Sequence, residues 1–358
     1  MSYFEKRLEK LRDELKTHDL QAKFVTHLTN VRYLSGFTGS AGAMLVTETE
    51  AHFLSDRRYE EQAVKEVPHC EVHMIERGYL DTLAQKGVLD TVKTIGFEGQ
   101  YLPFVAFQRI QKTYPKHSWN SVSGLIERLA AVKDSEEIAS LKEAARITDF
   151  VFTEIQNDLK VGVKERELAA KISYLFKMNG ADGDSYDPIV ASGPNSALPH
   201  AHPGERAFEK GDFIVMDFAA LYNGYHADMT RTVVIGEASD KHHEIYQLVL
   251  KSQLAGIAVA KAGMTGADLD KVCRDIIDKA GYGNEFCHST GHGIGLEVHT
   301  HPTVSGGNKE PLLENYVITI EPGVYIPSWG GVRIEDDCWI QEYGCEVLNA
   351  STKALLVL

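Results

Sequence analysis

The sequence predicts a mixed α/β protein with a smaller N-terminal α/β domain and a larger α+β domain. The chain has 358 residues, and a single domain usually takes about 100–200 residues. Helical and strand-like segments alternate over residues 1–130, whereas the remainder repeats a helix–helix–strand pattern. An apolar share of 43% with 25% charged residues is typical of folded globular proteins and argues against disorder, a coiled coil or collagen.

The N-terminal segment alternates amphipathic and β-like stretches. Apolar residues at helical spacing or in short runs predict, in order, a helix over Glu5–Leu15, strands over Lys23–His27, Ala43–Val46 and Ala51–Leu54, and a helix over Arg57–Val67. A glycine-rich turn, Ser35–Ser40, separates the first two strands.

A domain boundary is predicted near residue 131. The composition changes between Leu129 and Ser140, where Asp134 or Ser135 precedes two glutamates. An oxygen-bearing cap followed by acidic residues is a typical helix start. We therefore expect domains at residues 1–130 and 131–358.

The second domain contains a weak internal repeat. Lys160-Val161-Gly162 is followed by Leu168 and Gly180, and the same pattern recurs 101 residues later as Lys261-Ala262-Gly263, Leu269 and Gly281. A helix–helix–strand unit used twice predicts two similar halves with a site at their junction. Chance similarity between two amphipathic helices is the alternative.

Net charge, apolar runs and cysteine spacing indicate which partners and which cellular location to expect. The formal net charge of −14 disfavours nucleic acid and anionic membranes as partners. No apolar run is long enough to span a bilayer, and the charged start of the chain does not resemble a signal peptide. Five cysteines without a CxxC spacing do not predict a disulfide framework. We expect a cytoplasmic protein.

The stretch Phe213–Ile235 carries the clearest chemical signal. Two β-like runs flank Asn223-Gly224, a favoured hairpin turn. If these two residues form the turn, Asp217 pairs with Thr230, and Asp228 lies on the same face as Asp217; a shift by one residue would pair the two acids directly. Two carboxylates so placed must share a proton, meet a cation or bind a metal ion. The alternative is that both simply face water on a solvated hairpin.

Three further donors follow in the same domain. His292 lies among glycines, Glu321 ends an apolar strand, and Glu335 lies within a β-like stretch, Gly331–Asp336. Carboxylates with one imidazole suit divalent ions such as Mn²⁺, Co²⁺ or Zn²⁺. Five side chains exceed the needs of one catalytic ion, so the set favours two ions that share carboxylates.

The order and spacing of these donors resemble the pita-bread metallopeptidases, which include methionine aminopeptidase, aminopeptidase P and prolidase. From Asp217, the donors follow at intervals of 11, 64, 29 and 14 residues. The motifs Ala197–His200, Asp228–Thr232, His288–Gly295 with His299, Glu321–Gly323 and Val332–Asp337 also match. The resemblance covers residues 131–358. Residues 1–130 more loosely resemble the N-terminal domain of prolidase, aminopeptidase P and creatinase.

The resemblance implies a role for each residue. Asp217 would bind one metal ion, His292 and Glu321 the other, and Asp228 and Glu335 both. A hydroxide between the ions would attack the scissile carbonyl, with Glu321 as general base and acid. Four more residues would assist: His200 and His299 at the carbonyl, His288 in a proline pocket, and Arg333 holding a ligand carboxylate, as Thr230 could also do.

The resemblance also implies a substrate class. An attached N-terminal domain and His288 favour small peptides with proline after the scissile bond over methionine aminopeptidase substrates. The overall length favours an Xaa-Pro dipeptidase, with aminopeptidase P as the alternative; a non-enzymatic pita-bread binding module is the third possibility. Two metal ions, Mn²⁺ first and Co²⁺ or Zn²⁺ as alternatives, and a homodimer are implied by family analogy.

Overall fold

The computed structural model describes residues 2–358, which form two compact units. The first unit ends at Ala130, and the second comprises Ala131–Leu358. Within the described residues, no helix combines the length and apolar character that a membrane crossing requires.

The N-terminal unit is built on one six-stranded sheet. Its helices are α1 (Tyr3–Thr17), α2 (Leu28–Ser35), α3 (Glu60–Glu66), α4 (Tyr79–Gln85), α5 (Phe104–Thr113) and α6 (Leu125–Ala131). Its strands are β1 (Ala22–Val25), β2 (Ala43–Thr47), β3 (Ala51–Ser55), β4 (Glu71–Met74), β5 (Thr94–Phe97) and β6 (Ser118–Ser121). The strand order is β4-β3-β2-β1-β5-β6. The pairs β1–β2 and β2–β3 are antiparallel, and the other three pairs are parallel.

The predicted elements of this unit are present, with shifted ends. The first helix begins before Glu5 because Ser2 and Glu5 form a capping box. At its other end, it continues past Leu15 to Thr17. The helix predicted over Arg57–Val67 begins instead as a 3₁₀ turn at Arg57–Tyr59, and α3 follows it. The glycine-rich turn starts where Gly36 ends α2 in a left-handed conformation.

The C-terminal unit combines four long helices with thirteen strands. The helices are α7 (Ser135–Ile155), α8 (Glu165–Met178), α9 (Asp240–Val259) and α10 (Gly266–Lys279). The strands before α9 are β7 (Gly183–Asp184), β8 (Ile189–Ser192), β9 (Phe213–Asp217), β10 (Ala220–Tyr222), β11 (Tyr225–His226) and β12 (Thr230–Val234). Those after α10 are β13 (Gly291–Gly293), β14 (Thr300–Val304), β15 (Val317–Ile320), β16 (Gly323–Ile326), β17 (Gly330–Arg333), β18 (Asp336–Ile340) and β19 (Cys345–Val347).

The helices of this unit follow the repeat seen in the sequence. Both α8 and α10 have 14 residues, and their bounds differ by the same 101 residues as the motif. The glycines that precede and follow each helix all have positive φ, from 85° to 91°, a conformation that favours glycine. The cap of α7 is Asp134, whose side chain accepts hydrogen bonds from Glu136 and Glu137.

The hairpin register is the one in which Asn223 and Gly224 form the turn. Tyr222 pairs with Tyr225 beside the turn, and Asp217 pairs with Thr230 further along. The alternative register, with Asp217 opposite Asp228, is therefore wrong. Strands β12, β9 and β8 form one sheet, so Asp217 ends its central strand, and Asp228 lies two residues before the edge strand β12.

One predicted strand is interrupted. The stretch Gly331–Asp336 splits into the end of β17 and the start of β18, and Glu335 lies between them. The interruption has a structural cause, because β17 pairs with β16 whereas β18 belongs to the five-stranded sheet β14-β13-β15-β18-β19. Where the chain passes from one sheet to the other, the backbone N–H of Glu335 donates to Thr230 O, at 3.2 Å.

Candidate metal centre

One cavity of the C-terminal unit, of about 590 Å³, is lined by the five candidate metal ligands and by four of the assisting residues singled out from the sequence. They are Asp217, Asp228, His292, Glu321, Glu335, His200, His288, His299 and Arg333. The neighbouring histidines His202 and His301 are not among the lining residues.

The two hairpin aspartates meet at a tyrosine hydroxyl. Tyr186 donates to Asp217 Oδ1 and to Asp228 Oδ1, the latter at 2.5 Å. A phenol has only one hydrogen, so this single donor is shared between two carboxylates. Burial, with Asp217 and Asp228 next, raises the pKa of Tyr186 well above its ordinary value, which keeps the hydroxyl a donor.

His292 brings its imidazole to the carboxylates from the other half of the unit. Its Nε2 lies 3.6 Å from Asp228 Oδ2 and 3.5 Å from Glu321 Oε1. The backbone of His292 is held from the neighbouring strand, because its N–H donates to Thr319 Oγ1 at 3.1 Å. A register irregularity follows directly, between His292 and Gly293, and such bulges redirect side chains.

Glu335 and Arg333 are both held by Thr230. The Thr230 hydroxyl donates to Glu335 Oε2 at 2.6 Å and accepts from Arg333 Nε at 2.9 Å. The Arg333 guanidinium also pairs with Asp217 Oδ2 at 2.5 Å. Arg333 therefore contacts one carboxylate directly and reaches another through Thr230.

Four carboxylates at this site share a single cationic side chain. Asp217, Asp228, Glu321 and Glu335 gather around one cationic side chain, Arg333. Burial raises the pKa of Glu321 to about 7, and it raises the pKa values of Asp228 and Glu335 well above their ordinary range, with the neighbouring carboxylates adding to the effect on both. Buried carboxylates of this kind hold protons or bind a metal ion.

The donor set fits divalent metal ions. One donor atom each from Asp228, His292 and Glu335 lies within 4.8 Å of the others. Burial, aided by His299, lowers the pKa of His292 to about 4, so the imidazole is neutral and has a lone pair available at neutral pH. Carboxylate oxygens with one neutral imidazole are the ligands expected for Mn²⁺, Co²⁺ or Zn²⁺.

Beside the carboxylates, a series of contacts joins His288, Tyr325 and Arg333. His288 Nε2 lies 2.9 Å from the Tyr325 hydroxyl, which accepts from Arg333 at 2.7 Å. Burial, reinforced by Arg333, lowers the pKa of His288 to about 4. His299 stacks at an angle against His292, with 4.3 Å between ring centroids. The pKa of His299 is lowered mainly by burial, with a smaller effect of His200. The imidazoles of His288 and His299 are therefore both neutral at pH 7.

Two tyrosines of the site were missed by the sequence reasoning. Tyr186 lies between β7 and β8, and Tyr325 lies in β16. Neither belongs to a spacing pattern of metal ligands, and a tyrosine in a β-like stretch is usually read as core. Only the segment Ser185-Tyr186-Asp187-Pro188, a polar loop with an aromatic residue, offered a signal for the first.

Known families and proteins match almost the whole chain. The model of metallopeptidase family M24 matches residues 139–342, and the creatinase/prolidase N-terminal domain matches residues 7–132. An Xaa-Pro dipeptidase of Pyrococcus furiosus is 37% identical over 350 residues, covering 98% of this chain and 99% of that protein.

Solved structures agree with these matches. The Xaa-Pro dipeptidase from Bacillus anthracis has a TM-score of 0.96 and 39% identity, and the match covers 99% of this chain and 100% of that one. The X-Pro aminopeptidase from Thermotoga maritima has a TM-score of 0.90 and 38% identity, with 95% and 98% covered. The similarity therefore extends over both units.

Proposed function

We propose, since the chain belongs to metallopeptidase family M24, that it hydrolyses the peptide bond before proline in Xaa-Pro dipeptides. The family resemblance and the fold predicted from the sequence are both confirmed, with a creatinase-like N-terminal domain and a pita-bread domain. The chain is thus a metallopeptidase. The observation that most supports a hydrolytic metal centre is the convergence of nine sequence-predicted side chains on one cavity.

A dipeptide substrate is favoured by the comparisons. The Bacillus anthracis protein, named an Xaa-Pro dipeptidase, has the higher TM-score and is covered over its full length. The Thermotoga maritima protein, named an X-Pro aminopeptidase, is almost equally identical in sequence. Xaa-Pro aminopeptidase activity on longer peptides is therefore the second candidate function.

The proposed centre takes two divalent ions, with Mn²⁺ as the first choice. Asp217 would hold one ion, His292 and Glu321 the other, and Asp228 and Glu335 both. When bound, such ions supply Lewis-acid polarisation of the scissile carbonyl and lower the pKa of water enough for attack at neutral pH. The fit rests on the excess of buried carboxylates over cationic side chains.

The remaining steps fall to side chains of the cavity. Glu321 is proposed to accept the proton of the attacking water and to return it to the leaving proline nitrogen, which has no hydrogen of its own in the peptide. His200 and His299 would donate hydrogen bonds to the carbonyl oxygen as negative charge develops there. A neutral imidazole can donate in this way without a charge of its own.

Substrate orientation is assigned to the His288 side of the cavity. The contacts from Arg333 through Tyr325 to His288 keep that imidazole in one orientation. Both ring nitrogens have partners, since Nδ1 lies 2.7 Å from Ser289 O and Nε2 lies 2.9 Å from the Tyr325 hydroxyl, so the imidazole would offer its flat face to the proline ring. Arg333 is a positioning residue in this scheme, because it acts through Asp217, Thr230 and Tyr325.

Three peptides test the proposal. The purified protein, freed of metal and then supplied with Mn²⁺, is incubated with Ala-Pro, Ala-Pro-Ala or Met-Ala-Ser, and the products are separated by chromatography. Cleavage of Ala-Pro alone supports the dipeptidase, whereas cleavage of Ala-Pro-Ala supports the aminopeptidase. Cleavage of Met-Ala-Ser alone would refute both. An Asp228→Asn variant provides the inactive control.

Metal content and assembly are tested separately. Elemental analysis after reconstitution is expected to show two more ions per chain in the wild type than in the Asp228→Asn variant. A protein that binds no stoichiometric divalent ion would instead favour a non-enzymatic binding module. The proposal also includes a cytoplasmic homodimer, for which light scattering and cell fractionation are the measurements.

A further inference from the structure

A second group of metal-binding side chains lies in the N-terminal unit, on the strands β3 and β4. The parallel register pairs His52 with Glu71 and Leu54 with His73. Side chains alternate between the two faces of a sheet, and partners in register share a face. His52, Glu71 and His73 therefore project from the same face of β3 and β4, and we call these three residues the β3–β4 cluster.

The possible metal-binding atoms of the β3–β4 cluster lie close together. His52 Nδ1 lies 3.2 Å from His73 Nε2 and 3.3 Å from Glu71 Oε2. His73 Nε2 lies 3.7 Å from Glu71 Oε1. Tetrahedral zinc has ligand distances of about 2.0–2.2 Å, so its ligand atoms are roughly 3.3–3.5 Å apart. The two distances from His52 Nδ1 therefore already match the separation of zinc ligands, whereas the distance from His73 Nε2 to the other Glu71 oxygen is slightly longer.

The two imidazoles of the β3–β4 cluster are buried, whereas its carboxylate is exposed to solvent. The side chains of His52 and His73 are only 1% and 3% exposed, whereas that of Glu71 is 62% exposed. Two ring nitrogens face each other, and a hydrogen bond between them would occupy only one hydrogen. The carboxylate on the solvent side leaves a route by which an ion could reach the buried nitrogens.

The other nitrogen of His52 provides an independent observation. Its Nε2 is buried and makes no hydrogen bond, although Glu50 Oε2 lies 3.3 Å away. Metal-binding histidines generally direct their second ring N–H to a carboxylate, which fixes the tautomer. Glu50 is a carboxylate within reach of this nitrogen, and a hydrogen on Nε2 would leave the lone pair of Nδ1 for the β3–β4 cluster.

We propose that the β3–β4 cluster binds a divalent cation of the zinc class, independently of the ions of the catalytic cavity. The protein ligands are His52 Nδ1, His73 Nε2 and the Glu71 carboxylate, and a water completes the tetrahedron. Glu50 orients His52 without binding the ion. Because β4 is the edge strand of the sheet, the ion links this edge to its neighbour and stabilises the N-terminal unit.

Zinc titration of the full-length, metal-free protein tests the site. Isothermal titration and a chelating dye measure the number and affinity of bound Zn²⁺ ions in the wild type and in Glu71→Gln, His73→Gln and Glu61→Gln. Glu61 is the matched control, an exposed glutamate of α3 in the same unit. We expect one site to weaken at least tenfold in the first two variants and less than twofold in the control.

The position of the ion is tested by anomalous diffraction at the zinc edge, where a peak is expected between His52, His73 and Glu71. If His73→Gln fails to fold, Glu71→Gln alone still tests zinc binding at the β3–β4 cluster, because the exposed Glu71 side chain contributes little to packing. Identical titrations of wild type and Glu71→Gln, with no anomalous peak at the β3–β4 cluster, would overturn the proposal. The histidines would then form an ordinary imidazole–imidazole hydrogen bond.

Discussion

Replacing Arg333 by lysine probes how the centre holds its first carboxylate. Arg333 is almost completely buried, and its guanidinium donates to Asp217 Oδ2 (2.5 Å), Thr230 Oγ1 (2.9 Å), the Tyr325 hydroxyl (2.7 Å) and Pro199 O (3.1 Å). A lysine keeps the charge, but its single ammonium does not reproduce the planar fork of donors. We expect Arg333→Lys to retain the contact with Asp217 and to lose the other three.

The structure sets the size of the expected effect. Three charge-assisted hydrogen bonds at about 1.5–3 kcal/mol each amount to roughly 4.5–9 kcal/mol. At about 1.4 kcal/mol per factor of ten, complete loss of this energy from the transition state would exceed roughly 1,000-fold, which is an upper limit. Residues that orient metal ligands typically contribute about 10–100-fold to metal affinity or activity. We therefore expect kcat/KM for Ala-Pro to fall by about 10–100-fold, mainly through kcat.

The assay combines steady-state kinetics with Mn²⁺ titration of the metal-free protein. Arg206→Lys is the matched control, because Arg206 also pairs with a mostly buried aspartate, Asp212, but does not line the cavity. The control should change kcat/KM and Mn²⁺ affinity less than twofold. If Arg333→Lys shows the same kcat/KM and Mn²⁺ affinity as this control, the positioning role is refuted.

Three further predictions concern stability. Tyr186→Phe removes the donor shared by Asp217 and Asp228, so its unfolding temperature by calorimetry should fall more without Mn²⁺ than with it; equal falls would contradict the sharing. Gly291→Ala places a Cβ 2.0 Å from Thr319 O, whereas Gly307 has open space; urea unfolding should show a loss of at least about 2 kcal/mol for the first and under about 0.5 kcal/mol for Gly307→Ala. Burial, partly opposed by Glu98 and Glu127, lowers the pKa of Lys23 to about 8 from an ordinary 10.5. The unfolded chain then binds more protons between these values, so the unfolding free energy should rise by about 3 kcal/mol from pH 8 to pH 10.5. This rise should be absent in Lys23→Met, and an equal rise in both proteins would show that other groups cause it.

The hairpin shows how far local sequence information reaches. Asn223-Gly224 specifies a tight turn, and once the turn is placed, the pairing of Asp217 with Thr230 follows by counting residues. The same holds for α8 and α10, whose bounds follow from a repeated motif. These features depend on residues close in sequence, which is why the sequence predicts them.

Features that depend on distant segments were not predictable in this way. The break at Glu335 arises because the chain moves from one sheet to another, and no periodicity within Gly331–Asp336 records that crossing. Tyr186 acquires its role only through Asp217 and Asp228. The cluster of donors was anticipated because its spacing resembles a known family, whereas residues outside that spacing pattern were missed.

The distribution of donors along the chain has a consequence for divided forms of the protein. Asp217 and Asp228 precede α9, while His292, Glu321 and Glu335 follow α10. A backbone cut between β12 and α9 would leave two fragments, neither with a full complement of ligands. Recombination of such fragments should consequently depend on divalent cations, so that a chelator would dissociate a split enzyme far more readily than it would unfold the continuous chain.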